Sequence, residues 1–165
     1  MEEKNLIERL DQWYTYLQEQ EREKAIELKD EIDPLVKETS DPILENTYDL
    51  LHVRFYLLLN DLDRAGESLE KLEPFEGQTD PRLNYFYHFF KGMFLYDSKR
   101  YRDSIDSYLK AEPYLKRLDD RLETAFFKYG LAAAYHRANY ITMSITQAQE
   151  ALRFFKDEYH SRTSA

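Results

Sequence analysis

The chain has 165 residues, a mass of 19.9 kDa and a formal net charge of −9, with a pI near 5.0. This length suits one domain or a short array of repeats. The acidic excess argues against a general nucleic-acid binder or a protein that docks on anionic membranes, because both need a positive field. Basic partners are favoured instead. The chain has no cysteine, which excludes disulfides, thiolate chemistry and cysteine-ligated zinc.

The composition also indicates the compartment and the class of fold. The first residues carry neither the basic nor the apolar segment of a secretory signal, and the longest apolar run, 55–59, is far too short to span a membrane. We therefore expect a cytoplasmic protein. Only four glycines and five prolines occur, whereas aromatic residues make up 15 % of the chain, which favours a helical protein with ring-rich contacts.

Taken in chain order, four helical patterns of apolar residues precede four further helical segments. The first helices cover 6–17, 44–55, 83–96 and 122–135. Asp41 and Asp80 each stand before a proline, and Asp119-Asp120 opens the fourth unit, which are typical signals for the start of a helix. The sequence therefore predicts eight helices in four antiparallel pairs.

The second helices repeat with a period of about forty residues. The small residues Ala25, Ala65, Ser104 and Ser144 align them at spacings of 40, 39 and 40, and a proline follows the first three after nine positions. Such a proline removes a helical donor, so it is expected to bend or end the helix. A period of this kind is typical of stacked helix pairs, each of which hides the apolar face of its neighbour.

Residue size at the helix crossings distinguishes the early pairs from the late ones. Gly92 and Ala132 are small enough for the close crossing of tetratricopeptide repeats, whereas Trp13 and Val53 occupy the corresponding places in the first two pairs. The first two pairs are therefore expected to pack more like a bundle.

The sequence thus predicts an all-α protein with three parts. An N-terminal helical bundle covers 1–73, two tetratricopeptide-like repeats cover 81–157, and a polar tail at 158–165 is frayed. The one clear loop, 73–80, marks the boundary between the bundle and the repeats.

The sequence offers little catalytic chemistry. It contains no Gly-rich phosphate loop and no GxSxG motif, and its four histidines lack partners at metal-ligand spacing. The abundant carboxylates follow the charge pattern of solvated helix faces. We therefore predict no catalytic residue, no metal and no cofactor.

Three surfaces are candidates for binding. Asp49 and His52 interrupt a strongly apolar helix, which predicts an outward-looking bundle face made by Tyr48, Asp49, His52 and Phe55. The first helices of the two repeats would form an inner groove, although the same rings could be core between the repeats. The predicted groove residues are Phe89, Met93, Tyr96, Phe126, Tyr129, His136 and Arg137. Self-association to a homo-oligomer is predicted through an apolar end near Ile145, Leu152 and Phe155.

Several segments, in this order and spacing, resemble the Rap family of Bacillus response-regulator aspartate phosphatases. They are Gln12-Trp13-Tyr14, 48–54, 91–94, 101–105, 110–112, 119–126 and 143–152. The resemblance covers nearly the whole chain. It implies a three-helix bundle followed by tetratricopeptide repeats, and a response-regulator partner bound through its receiver or its DNA-binding domain. It also implies a small signalling peptide in the groove, as in quorum sensing, sporulation or competence.

The resemblance further implies a Gln just before 48–54 that orients the attacking water in the phosphatases of the family. Here no Gln lies between Ile32 and Glu76, and the counterpart positions hold Asp41, Pro42 and Ile43. We therefore predict a Rap-like protein that binds and inhibits a response regulator without efficient phosphatase activity. Two alternatives are a general tetratricopeptide adaptor that binds a peptide or helix in its groove, and an active aspartyl-phosphate phosphatase.

Overall fold

A computed structural model gives the structure of the chain over residues 2–72 and 80–164, and every regular element in these ranges is an α-helix. The helices are α1 (Glu2–Gln18), α2 (Arg22–Glu38), α3 (Pro42–Leu58), α4 (Leu62–Lys71), α5 (Pro81–Asp97), α6 (Tyr101–Leu118), α7 (Arg121–Arg137) and α8 (Ile141–Ser164). The prediction of an all-α fold with eight helices is confirmed. The loop predicted at 73–80, with Pro74, lies outside the described residues except for Asp80.

The chain divides into two compact units, unit 1 (Met1–Phe75) and unit 2 (Glu76–Ala165). Unit 1 contains α1 to α4 and unit 2 contains α5 to α8. Within each unit every helix packs on its sequence neighbours, and the first helix also touches the third. This pattern is that of stacked helical hairpins, in which burial of an apolar face requires the adjacent pair. None of the helices in the described parts is long and apolar enough to cross a membrane.

Aspartate side chains start four of the helices, as local sequence signals predict. The carboxylates of Asp41 and Asp80 accept a hydrogen bond from the backbone two residues on, at 2.9 Å in both cases. Those of Asp61 and Asp120 accept from the backbone three residues on, at 3.1 and 3.0 Å. Each bond satisfies one of the free donors at a helix N-terminus.

The turn inside each hairpin repeats the period of the sequence. Each of the four turns contains one residue with positive φ, and these residues are Gln20, Asn60, Lys99 and Asn139. A left-handed residue is favourable for asparagine and strained for glutamine or lysine. The repeat therefore dictates the geometry of the turn even where the side chain does not favour it.

The helix crossings show why the late pairs are tight. Ser104 Oγ donates to the Gly92 carbonyl oxygen at 2.7 Å, and Ser144 Oγ donates to that of Ala132 at 2.8 Å. In the first pair the donor lies on the first helix instead of the second, because the Trp13 indole Nε1 donates to the carbonyl oxygen of Ala25 at 3.0 Å. All three bonds join residues twelve apart. The bulky early crossing is thus anchored by a ring rather than by a hydroxyl.

Two expectations about helix ends need correction. Of the two effects expected of the prolines, ending the helix is wrong for Pro34 and Pro113, which lie inside α2 and α6. In α6 the residues two positions before and after the proline, Ala111 and Leu115, are both buried, so packing holds the helix across the missing donor. The segment 158–164, expected as a frayed tail, continues α8, where Glu158 and Arg162 form an i,i+4 ion pair at 3.5 Å.

Candidate partner-binding site

An aromatic cluster formed by Trp13, Tyr48, His52, Phe55 and Tyr56 occupies the middle of unit 1. The Trp13 ring is fully buried and stacks on Tyr48 with centroids 5.8 Å apart. The His52 ring meets Trp13 edge-on at 5.3 Å and Tyr48 at 4.3 Å. Phe55 lies 5.6 Å from Trp13, and Tyr56 lies 5.7 Å from His52. Helix α3 therefore fixes four of these rings against a single ring from α1.

A polar chain behind the cluster satisfies its buried hydroxyl. Tyr48 donates its hydroxyl proton to the carboxylate of Asp33, which also accepts from Lys29 Nζ at 3.0 Å. Burial, followed by the bond to Asp33, raises the pKa of Tyr48 well above its ordinary value. Burial works to raise the pKa of Asp33, but the Tyr48 bond and the Lys29 ammonium outweigh it and lower that pKa. The carboxylate stays ionised and holds the tyrosine in place.

His52 is neutral at physiological pH because of its surroundings. Burial, aided by the Lys29 charge, lowers the pKa of His52 from 6.5 to about 4. Its Nδ1 lies 3.3 Å from the Tyr48 carbonyl oxygen, which can only accept, so this nitrogen carries the proton of the neutral ring. The ring serves as a polar, uncharged member of the aromatic cluster.

The structure narrows the bundle face predicted from the sequence. Tyr48 and Phe55 are core residues, with only 9 % and 5 % of their surface exposed, so the expectation that they look outward is wrong. Their rings pack on Trp13, whose place in α1 the pattern of α3 alone does not reveal. Asp49 is exposed and His52 is half-buried.

The outward edge of α3 is a stripe at spacings of four, three and four residues. This α3 stripe consists of Glu45, Asp49, His52 and Tyr56. Although Asp49 reaches solvent, its carboxylate is partly desolvated by the helix packing around it, and this desolvation, together with the neighbouring Glu45 carboxylate, raises the pKa of Asp49. Sequence reasoning missed Tyr56, although its position seven residues beyond Asp49 was a usable signal. The stripe presents carboxylates beside the polar rim of the aromatic cluster.

Charge is distributed unevenly between the two units. Residues 1–75 contain 20 acidic and 9 basic side chains, whereas residues 76–165 contain 12 acidic and 14 basic ones. Unit 1 therefore carries an excess of 11 negative charges, whereas unit 2 carries an excess of two positive charges. A surface with this excess attracts basic partners and repels acidic ones.

The predicted groove residues in unit 2 fall into three classes. Phe89 is a core residue, 3 % exposed, with its ring centroid 5.8 Å from that of Tyr108 and 6.0 Å from that of Phe127. Phe89 therefore belongs to the core between the repeats and does not line a groove. The half-buried ones are Met93, Tyr96 and Phe126, and the exposed ones are Tyr129, His136 and Arg137.

Tyr101 joins two of the predicted groove residues, a contact that the sequence did not reveal. The Tyr96 ring meets it edge-on at 5.4 Å. Arg137 Nη2 donates to its hydroxyl at 2.7 Å, with the guanidinium 4.9 Å from the ring centroid. One end of α5 and one end of α7 thus share a small polar and aromatic patch.

The described residues contain no group of three or more His, Asp or Glu side chains that could hold a metal ion. The positions that the family resemblance assigns to the water-orienting Gln lie at the start of α3. There the Asp41 carboxylate caps the helix by accepting from the Ile43 backbone, and Pro42 is the first helical residue. The Pro42 side chain has no polar group that could orient a water molecule.

Comparison with known proteins begins with a match of residues 1–60 to the family model described as response regulator aspartate phosphatase H, N terminal. The chain is 29 % identical over 171 residues to response regulator aspartate phosphatase I of Bacillus subtilis (strain 168), and 29 % identical over 154 residues to the transcriptional activator NprA of Geobacillus stearothermophilus. The two alignments cover 96 % and 93 % of this chain but 43 % and 38 % of the relatives. The chain thus spans less than half the length of these curated relatives.

Solved structures give the same result for the fold. The apo form of RapI superposes with a TM-score of 0.87 at 26 % identity, covering 96 % of this chain and 45 % of that one. A Rap protein complexed with Competence and Sporulation Factor gives 0.84 at 25 % identity, covering 94 % and 44 %. NprR in complex with its cognate peptide NprX gives 0.86 at 24 % identity, covering 98 % and 46 %, and supports the fold.

Proposed function

We propose that the chain belongs to the Rap family over the length that it shares with these relatives, and that it binds a bacterial response regulator through unit 1 and inhibits it. The observation that carries the proposal is the match of residues 1–60 to the N-terminal family model, because these residues supply the whole aromatic cluster and the α3 stripe.

The charge of unit 1 supports a basic surface as the target. Response regulators that act on DNA need a positive face to displace counterions from phosphate. An acidic α3 stripe in a unit with 20 acidic and 9 basic residues would compete for such a face. We therefore propose that inhibition occurs by occupation of the DNA-binding domain, with the receiver domain as the other candidate surface.

Efficient dephosphorylation is not part of the proposal. Hydrolysis of an aspartyl phosphate requires a group that orients the attacking water. The counterpart positions hold a helix-capping aspartate, Asp41, and a proline, Pro42, and no Gln lies between Ile32 and Glu76. The chain is expected to bind a phosphorylated regulator without hastening the loss of its phosphate.

A second candidate function is peptide or helix binding in the groove of unit 2. Tyr129 is 66 % exposed, and Arg137 provides a cation at the patch shared with Tyr96 and Tyr101. Two relatives of known structure were solved with a cognate peptide or factor bound. Exposed aromatic and arginine side chains are the usual anchors of such contacts.

The test uses purified response regulators, phosphorylated and unphosphorylated, titrated with the full chain. We expect one or more to bind, to lose its affinity for DNA, and to lose labelled phosphate at its spontaneous rate. No binding across the panel would refute the proposal. An accelerated loss of labelled phosphate would show that the chain acts as a phosphatase and not as an inhibitor. Binding that is abolished by Tyr96→Ala but not by Asp49→Lys would favour the groove of unit 2 as the binding site.

A further inference from the structure

A cavity of about 130 Å³, the α1–α2 cavity, opens between the start of α1 and the end of α2. Two leucines, two carboxylates and two hydroxyls line it, and these residues are Glu3, Leu6, Leu35, Glu38, Thr39 and Ser40. None of them belongs to the aromatic cluster or to the α3 stripe. Pockets that enclose a small organic ligand usually measure about 300–1,000 Å³. The α1–α2 cavity is therefore sized for a single side chain and not for a cofactor.

The lining of the α1–α2 cavity is apolar inside and polar at its mouth. Leu6 is only 1 % exposed and Leu35 is half-buried, whereas Glu3, Glu38 and Ser40 reach solvent. Lysine and arginine side chains have a matching layout, because an aliphatic stem ends in a charged head that stays in contact with water. Such a stem would cover the two leucines while its head remains beside the carboxylates.

The two carboxylates at the mouth are not neutralised by the chain itself. The ion pairs in the described part of unit 1 engage other acidic side chains, which are Glu31, Asp33 and Asp61. The side chains of Glu3 and Glu38 form no ion pair or hydrogen bond with any residue that the structure describes. Lys4 and Lys37, the nearest basic residues in the sequence, are exposed and do not line the cavity. Two such charges beside an apolar floor favour a cation as the occupant.

The end of α2 adds to the negative field at the cavity. Leu35 and Glu38 lie in the last turn of α2, and Thr39 is its C-cap residue. The C-terminal end of a helix carries a partial negative charge, which stabilises a cation beside it. The N-terminal end of α1 carries the opposite partial charge, which the Glu3 carboxylate in its first turn offsets. Glu38 and the end of α2 therefore determine the sign of the site.

We propose that the α1–α2 cavity is a site for one alkylammonium or guanidinium group. The identity of its carrier rests on the proposed function, under which the group is a lysine or arginine side chain on the basic face of the response regulator. The covered stem and the paired head would give this contact a fixed position in an interface that is otherwise guided by diffuse charge. The contact surface of unit 1 then extends beyond the α3 stripe to the ends of α1 and α2.

Butylammonium chloride tests the cavity without any protein partner. Its titration into the isotopically labelled chain, followed by NMR, should shift the backbone amides of Leu6, Leu35 and Thr39 together and to saturation. Glu38→Gln keeps the shape of the side chain and removes its charge, so it should weaken this binding about threefold or more. Glu27→Gln makes the same change at an exposed glutamate of α2 outside the cavity and should leave the affinity unchanged. Butanol, which keeps the stem and lacks the charge, should bind more weakly than butylammonium.

Three results would overturn the cavity as a cation site. The first is a set of butylammonium shifts spread evenly over the acidic residues of unit 1. The second is an equal effect of Glu38→Gln and Glu27→Gln on the affinity for butylammonium. The third is butanol binding as tight as that of butylammonium, because the carboxylates would then contribute nothing.

Binding of the response regulator tests which group occupies the cavity. Glu38→Gln should weaken the affinity for the regulator about threefold or more, whereas Glu27→Gln should leave it unchanged. A regulator that binds both variants equally well would show that none of its basic side chains enters the cavity, and the proposal would fail for this partner. If no regulator binds the wild-type chain, the proposed function fails, and the butylammonium titration still decides whether the cavity binds a cation.

Discussion

The close approach of Tyr108 to Gly92 gives a prediction with a defined sign. A Cβ added at Gly92 would lie 2.8 Å from Tyr108 Cδ1 and 2.9 Å from Cε1, well inside normal contact. The Tyr108 ring is only 2 % exposed and is held by Phe89 and Phe127, with centroids 5.8 and 6.0 Å away. The packed ring therefore cannot shift as a whole away from a Cβ placed along its side.

The magnitude follows from two opposed effects of Gly92→Ala. Overpacking a well-packed core costs about 1–3 kcal/mol. The gain in helix propensity on replacing glycine by alanine is about 1 kcal/mol. The net effect is a loss of about 1 kcal/mol in the free energy of unfolding, or roughly 4–8 °C in Tm for a unit of this size.

Gly130→Ala is the matched control for the same ring. Its added Cβ would meet the Tyr108 hydroxyl oxygen at 3.1 Å and Cζ at 3.4 Å, at the tip of the ring rather than along its side. A small tilt relieves this contact, so the propensity gain of about 1 kcal/mol should make the variant equal to wild type or more stable. Urea unfolding of both variants, followed by circular dichroism, measures the difference. A Gly92→Ala chain as stable as Gly130→Ala would refute the reasoning.

Three other predictions concern unit 1, one turn and the partner. Between pH 6.5 and 4 the free energy of unfolding of the wild type should fall by about 3 kcal/mol more than that of His52→Gln. The reason is that the pKa of His52 is about 4 in the folded chain and 6.5 in the unfolded chain, so protonation favours unfolding. Urea unfolding at several pH values measures this difference, and the same pH dependence in both chains would contradict the prediction. Lys99→Gly should raise stability by about 0.5–1 kcal/mol by relieving a φ of 64°, whereas Asn139→Gly should change little; thermal melts compare the two. Affinity for the response regulator should drop about tenfold when ionic strength rises from 0.1 to 0.5 M, and calorimetry showing no salt dependence would argue against charge pairing.

Local signals explain how much of the fold was predictable from the sequence. The apolar periodicity, the capping aspartates and the forty-residue period each act within a few turns of chain, and they gave the number, order and starts of the helices. Pro113 shows the limit of such signals, because burial of Ala111 and Leu115 overrides its effect on α6.

The candidate site was less predictable because its chemistry depends on tertiary partners. The sequence pattern places Tyr48 on an outward-looking face of α3. Its burial is favourable because the tyrosine hydroxyl donates a hydrogen bond to Asp33, fifteen residues away. From the sequence, Trp13 is too large for a close helix crossing, but in the structure its indole Nε1 donates to the Ala25 carbonyl oxygen and joins the two helices. The Tyr48–Asp33 pairing has no repeating sequence spacing, whereas Trp13 and Ala25 share the twelve-residue spacing of the later crossings, but the spacing does not show that the indole is the donor.

Charge reversal on the α3 stripe tests most directly whether unit 1 carries the partner-binding surface. Asp49→Lys reverses an exposed carboxylate of the stripe, and Asp106→Lys makes the same change at an exposed carboxylate on α6 of unit 2. Binding of the response regulator to each variant of the chain is measured by calorimetry. Asp49→Lys should weaken binding by about tenfold or more, whereas Asp106→Lys should leave it within about twofold of wild type. Equal effects of the two substitutions, or a larger effect at Asp106, would contradict it.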